Sequence, residues 1–240
     1  MTDIYADGAN YDGIIEAAKN PLIKGFTTNP TLMRAAGVTD YEQFARKVIV
    51  ELMQTRPETN ISLEVFADDR NEMFRQAKLI SGWGREYDYN VYVKIPVMNT
   101  KGEPNYALIT DLNKEGVKLN VTAVFTSGQT VNILNSVPRK FSTIISIFAG
   151  RIADTCRDPE KYVKESMSFR KSSDEHVKFL WASCREVFNY VQAQRCGCDI
   201  ITMTNDQIKK LDLSGKRLHD YSRETVEMFY NDALKSGYNI

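Results

Sequence analysis

The chain has 240 residues, with 31 basic and 31 acidic side chains and a formal net charge of zero. That balance excludes a nucleic-acid binder that works through a broad cationic face, and no apolar run approaches the about 18 residues that suggest a membrane span. At 42% hydrophobic and 26% charged residues, a chain this long buries about 70% of its unfolded surface and needs no metal or disulfide staple.

Taken in chain order, short apolar runs recur at fairly even intervals. They are Ile4–Ala6, Ile23–Thr27, Ile61–Ala67, Val91–Val97, Leu119–Phe125, Thr143–Phe148, Phe179–Ser183 and Ile200–Thr204. Each is rich enough in β-formers to read as a strand. Most are near-continuous apolar stretches, as expected of parallel strands covered on both faces. Helical patterns fill the gaps. After Thr39, apolar side chains at Tyr41, Phe44, Ala45, Val48, Ile49 and Leu52 follow helical spacing, and Thr39-x-x-Glu42 reads as a capping box. Asp158-Pro159 reads as an N-cap followed by proline at the first helical position. Near the end, Val226, Phe229, Tyr230, Ala233 and Leu234 form another stripe, suited to packing on the barrel or on a neighbouring subunit.

No Pro/Gly/Ser-rich stretch divides the chain, so one domain over residues 1–240 is expected. Eight strands alternating with helices predict an α/β fold, a (β/α)8 TIM barrel with an extra C-terminal helix. The competing fold is an open doubly wound sheet, but no G-x-G-x-x-G or Walker A sequence is present. Cys156, Cys184, Cys196 and Cys198 form no C-x-x-C pair, and His176 and His219 lie far from the Cys196/Cys198 pair in sequence, so no metal site is expected. Cys196 and Cys198 read as buried packing. The N-terminus shows no signal-peptide pattern, and the expectation is a reduced, cytoplasmic protein.

In such barrels the site lies at the C-terminal ends of the strands. That rule selects Asp7, Thr28, Asn29, Glu64, Lys94, Asn120, Thr122, Ser146, Ser183 and Arg185. Lys94 is the most informative, because Val91-Tyr92-Val93-Lys94-Ile95-Pro96-Val97 sets an ammonium inside an apolar strand. Pointing inward, it would be desolvated toward the neutral amine, a nucleophile for carbonyls. The plainer reading is a lysine that snorkels, or one paired with Glu64 or Asp7 as a buried ion pair. Asp7 and Glu64 are candidate acid–base carboxylates, or simple charge compensation for Lys94. Arg151 and Arg185 suit a phosphate, since a guanidinium fork binds two oxygens at once. A surface or ion-paired arginine is the alternative.

At these residues the sequence resembles the transaldolase family. Gly25-Phe26-Thr27-Thr28-Asn29-Pro30-Thr31-Leu32 is similar to its G-x-T-T-N-P-S/T motif, and Val93-Lys94-Ile95-Pro96 to its Schiff-base lysine segment on strand four. Asn120-Val121-Thr122-Ala123-Val124-Phe125-Thr126-Ser127-Gly128-Gln129 is similar to N-x-T-x-x-F-S-x-x-Q. Ser146-Ile147-Phe148-Ala149-Gly150-Arg151-Ile152 resembles S-P-F-V-G-R-I, and Ala182-Ser183-Cys184-Arg185 resembles A-S-F-R. The matches keep the family's order across nearly the whole chain.

The resemblance implies a Schiff-base transaldolase of carbohydrate metabolism, in the manner of the pentose phosphate pathway, without metal or cofactor. Lys94 would attack the ketose carbonyl, and Glu64, through a water positioned by Thr122, would move the protons of dehydration. Asp7 would deprotonate the C4 hydroxyl for retro-aldol cleavage. Thr28, Asn29, Asn120, Ser146 and Phe148 would contact the sugar, and Arg151, Ser183 and Arg185 its phosphate. Sugar phosphates are the implied partners, in a homo-oligomer. The family also contains fructose-6-phosphate aldolases, which tend to carry Gln where Glu64 stands and Tyr where Phe148 stands, so both positions point to transfer. Departures at Gly8, Thr130, Ile147 and Cys184 leave room for a specialised sugar phosphate. A non-catalytic sugar-phosphate-binding barrel is the remaining alternative.

Overall fold

The computed structural model describes residues 1–137 and 141–239. Its strands are β1 (Asp3–Asp7), β2 (Ile23–Thr27), β3 (Asn60–Glu64), β4 (Asn90–Pro96), β5 (Leu119–Val124), β6 (Thr143–Ile147), β7 (Val177–Trp181) and β8 (Ile200–Met203). All pair in parallel with their sequence neighbours, and β8 returns to β1, so the sheet closes in the order β1 to β8. The predicted (β/α)8 barrel is present, and each predicted apolar run overlaps one strand.

The twofold period of a strand divides the apolar side chains into two populations. Ile61, Leu63, Val91, Val93, Ile95, Leu119, Val121, Ile145, Ile147, Phe179 and Trp181 point outward into the continuous core shared with the helices. Tyr5, Tyr92, Ile144, Leu180, Ala182 and Ile200 form a separate cluster inside the barrel. Asn60 Nδ2 donates to Tyr5 Oη at 2.8 Å, and Tyr92 Oη pairs with Ser142 Oγ at 2.8 Å. Gly25 leaves room for the Tyr5 ring, because a Cβ there would lie 2.7 Å from it. The N-terminal half of the barrel is thereby plugged, and interior polar residues are left to the C-terminal half.

Helix starts follow local hydrogen bonding. The helix Pro159–Ser168 begins as expected, with Asp158 accepting from Glu160 N. The helix Tyr41–Thr55 buries Ala45, Val48, Ile49 and Leu52 as the pattern predicts, but Asp40 is its N-cap, not Thr39. Asp40 Oδ1 accepts from Gln43 N at 2.9 Å, which shifts the start by one residue. The C-terminal helix Leu218–Ser236 buries no residue, and Val226, Phe229, Tyr230 and Leu234 are each more than 60% exposed. Within one chain, its stripe does not pack on the barrel.

One contact fixes the rim between β6 and β7. The helix Ala149–Ala153 meets the segment after β7 so closely that a Cβ on Gly150 would fall 1.6 Å from Ser183 O. Gly150→Ala is therefore expected to cost about 2 kcal/mol or more through forced backbone movement. Thermal unfolding checks this, and an unchanged melting temperature would refute the contact.

Candidate active site

Lys94 lies near the end of β4 and is 6% exposed. Its Nζ lies 2.9 Å from Glu64 Oε2 and donates to Thr28 O at 2.6 Å. Glu64 closes β3 and is the register partner of Lys94, so the two side chains emerge side by side on the same face. The ion-paired reading of Lys94 is thus what the structure contains, with Glu64 as partner. Burial makes this pair strongly felt, since a lone ammonium here would be costly.

Asp7 ends β1 and faces the same space. Thr27 Oγ1 donates to Asp7 Oδ1 at 2.7 Å and shares a 2.6 Å hydrogen bond with Thr202 Oγ1. Burial pushes the Asp7 carboxyl above the ordinary aspartate range. The Lys94 charge and the Thr27 hydrogen bond oppose that rise, and Glu64 adds to it.

Asn120 on β5 is the register partner of Lys94 on the other side. Its Oδ1 accepts from Ser146 Oγ at 2.6 Å, and its Nδ2 donates to Ser62 Oγ at 3.1 Å. Both ends of the amide are therefore engaged, which fixes its orientation. Thr122, two residues on, is 2% exposed, and its Oγ1 has no hydrogen-bond partner. An unpaired buried hydroxyl is unfavourable unless a ligand or water completes it. The chain reaches this arrangement through an irregular β5, whose pairing with β6 shifts between Val121 and Val124 and where Ala123 takes φ 58°. The side chains of the two residues after β2 are tied to neighbouring backbone. Thr28 Oγ1 donates to Ser62 O, and Asn29 Oδ1 accepts from Leu32 N to cap the helix Pro30–Ala35.

The far side of the cleft is basic. Ser183 takes the left-handed backbone, φ 64°, after β7. Arg151 lies over the Phe148 ring, 5.8 Å from its centroid. Arg185 is engaged by Asp154, with Nε donating to Oδ1 at 3.0 Å and Nη2 to Oδ2. The pair holds the Asp154 carboxyl below the usual range and raises Arg185. These elements surround one open cleft of about 440 Å³ at the C-terminal mouth of the barrel. Of the expected site residues, Asp7, Asn29, Glu64, Lys94, Asn120, Thr122, Ser146, Phe148, Arg151, Ser183 and Arg185 line it. Thr28 stands behind the wall, completely buried.

Sequence reasoning passed over Ser62, Thr202, Asp154 and Gln207. The twofold period from Glu64 and from Thr204 would have pointed to Ser62 and Thr202. Asp154 and Gln207 carry no such signal. Cys184 also lines the cleft, but burial pushes its thiol up, away from the reactive thiolate. Cys196 and Cys198 are buried, and burial raises both. Among the described residues, no cluster of three or more His, Cys, Asp or Glu side chains is placed to hold a metal ion. No helix among them is long and apolar enough to cross a membrane.

Fold and site together define a closed (β/α)8 barrel with a lysine-centred cleft at its C-terminal mouth. The chain belongs to the transaldolase/fructose-6-phosphate aldolase family, whose sequence profile it matches over residues 4–239. It is therefore an enzyme of the aldolase/transaldolase type. It is 32% identical over 200 residues to a protein named "Probable transaldolase" from Dehalococcoides mccartyi, covering 83% of this chain and 85% of that one. Another protein of that name, from a Thermoanaerobacter species, is 29% identical over 236 residues, covering 98% and 99%. Among solved structures, the thiamine phosphate pyrophosphorylase of Pyrococcus furiosus superposes with a TM-score of 0.53 at 8% identity, covering 84% of this chain and 85% of that one. That likeness concerns the barrel alone.

The Thr27–Asp7 bond gives a pH test. Thr27 stabilises the ionised carboxylate, so Thr27→Val leaves burial less opposed and moves Asp7 titration to higher pH. Carbon-13 NMR of labelled aspartate reads this directly, and an unmoved or lowered titration would contradict the assignment.

Proposed function

We propose that this chain is a transaldolase that carries a dihydroxyacetone unit from a ketose phosphate to an aldose phosphate through a Schiff base on Lys94. The observation that carries this reading is the buried Lys94–Glu64 pair beneath the cleft, with the Asp7 carboxylate and the unpartnered Thr122 hydroxyl facing the same space. Lysine desolvated on a barrel strand is suited to imine formation once its proton passes to a neighbouring base. Glu64 is within direct reach to take that proton. The free amine adds to the ketose C2 carbonyl, and the carbinolamine loses water to give the iminium ion. Glu64 and a water held by Thr122 Oγ1 move those protons.

Asp7 then accepts the C4 hydroxyl proton. The C3–C4 bond breaks, its electron pair enters the iminium system, and the aldose phosphate leaves. The remaining enamine adds to the aldehyde carbon of an acceptor, which recovers the proton from Asp7, and water releases the product ketose from Lys94. The raised Asp7 carboxyl accepts a proton more readily than an ordinary aspartate does, at the cost of being protonated sooner as pH falls. Asn120 and Ser146 orient the three-carbon unit, with Asn29 at the cleft wall. Ser183, Arg151 and Arg185 take the phosphate.

Transfer rather than free release is supported by Glu64 and by Phe148, whose ring packs 5.8 Å from Phe125 and offers no hydroxyl to a hydrolytic water. We read the chain as one domain over residues 1–240, working in the cytoplasm in the pentose phosphate manner. The exposed stripe on Leu218–Ser236 supports a homo-oligomer.

Borohydride trapping with fructose 6-phosphate is expected to place a reduced three-carbon adduct on Lys94, located by peptide mass analysis. No adduct with any ketose phosphate would overturn the reading. Free dihydroxyacetone released without acceptor, at a rate matching transfer, would make the chain a lyase instead. Thr122→Val is expected to keep or raise the melting temperature by removing an unpaired hydroxyl. Its turnover should fall about 100-fold if Thr122 holds the proton-carrying water, and wild-type turnover in this variant would remove Thr122 from the mechanism.

A further inference from the structure

The two arginines at the anion end are in different states. Arg151 pairs with no carboxylate among the described residues and rests against Phe148. Arg185 has one edge of its guanidinium filled by both oxygens of Asp154. The backbone beneath Arg185 is held on several sides. Arg185 N and Glu186 N both donate to Asn189 Oδ1, at 2.8 and 3.2 Å. Cys184 O accepts from Gln207 Nε2 at 3.1 Å, and Ser183 O lies against Gly150. Asp154 is fixed to the same framework, because it follows the helix Ala149–Ala153 and its N–H donates to Gly150 O at 3.0 Å. A long side chain on a fixed backbone still keeps its rotamer freedom. Asp154 is the group that restrains it here.

We propose that Asp154 is a positioning residue for substrate phosphate, holding the Nε–Nη2 edge of Arg185 so that the remaining N–H groups face the cleft beside Arg151. This rests on the phosphate reading given above. Pre-ordering the guanidinium removes an entropic cost from binding, and binding terms of this kind appear in KM before kcat. An alternative role, neutralising one of two positive charges, predicts the opposite sign, since its loss would tighten phosphate binding.

The test compares wild type with Asp154→Ala, Asp154→Asn and Asp154→Glu. The control is Glu160→Gln, which breaks an exposed pair with Lys164 elsewhere. The Ala and Asn variants should raise the KM for fructose 6-phosphate about three- to tenfold, with a smaller change in kcat. Inhibition by inorganic phosphate should weaken by the same factor, and Asp154→Glu should recover most of both. The KM for unphosphorylated fructose should not follow. An unchanged or lowered KM in folded Asp154→Ala, or equal shifts with fructose, overturns the proposal. Should wild type give neither adduct nor turnover, the transaldolase reading fails. Calorimetry with inorganic phosphate then decides Asp154 alone: weaker binding by Asp154→Ala than by wild type supports it, and equal or absent binding overturns it.

Discussion

The buried pair of Lys94 and Glu64 is the constraint around which the upper half of the barrel is arranged. Removing one partner of a buried ion pair typically costs about 3–5 kcal/mol, because the other is left uncompensated. Adjacent parallel strands in register place the partner alongside, since Glu64 and Lys94 are cross-strand neighbours. The third element is a backbone oxygen, Thr28 O, supplied by the turn after β2. Thr28 is held in turn by Ser62 O through its side chain, and Ser62 Oγ accepts from Asn120. One hydrogen-bonded circuit therefore ties β2, β3, β4 and β5 together around the amine.

Stability and chemistry occupy different volumes of the molecule. The outer core between strands and helices is continuous and apolar. The interior plug of Tyr5, Tyr92, Ile144, Leu180 and Ile200 closes the N-terminal half. The C-terminal half carries the destabilising features: a carboxyl raised by burial, an unpaired hydroxyl and left-handed backbone at Ala123 and Ser183. Such features at one cleft suit a functional site, although buried polar atoms without partners also occur away from it, as at Asn60 Oδ1 and Asn113 Oδ1.

Much of this was legible in the sequence because parallel barrel strands are apolar on both faces, so each polar interruption stands out. Lys94, Glu64 and Asn120 interrupt such runs and are register neighbours in the structure. The charge partner of Lys94 stayed ambiguous, since Asp7 and Glu64 have equal claims until strand order and register are known. Asp154 was invisible because it reaches Arg185 across a contact between a short helix and a loop, 31 residues apart. Ser62 was overlooked because a small hydroxyl in an apolar strand reads as filler until its neighbours are placed. The start of the helix Tyr41–Thr55 was off by one because Thr39 and Asp40 are both good caps, and only backbone geometry chooses between them. The stripe on Leu218–Ser236 has the right period for packing, but period alone does not say against what.

The tyrosine plug has a kinetic consequence. A barrel closed at one end has a single doorway, so a departing fragment and an arriving molecule share the same path. In the transfer proposed for Lys94, the first product would vacate the cleft before the second reactant approaches the enamine. In the proposed transfer, the covalent enamine on Lys94 makes double-reciprocal plots parallel rather than convergent, and the filled barrel floor leaves both reactants the same mouth to use.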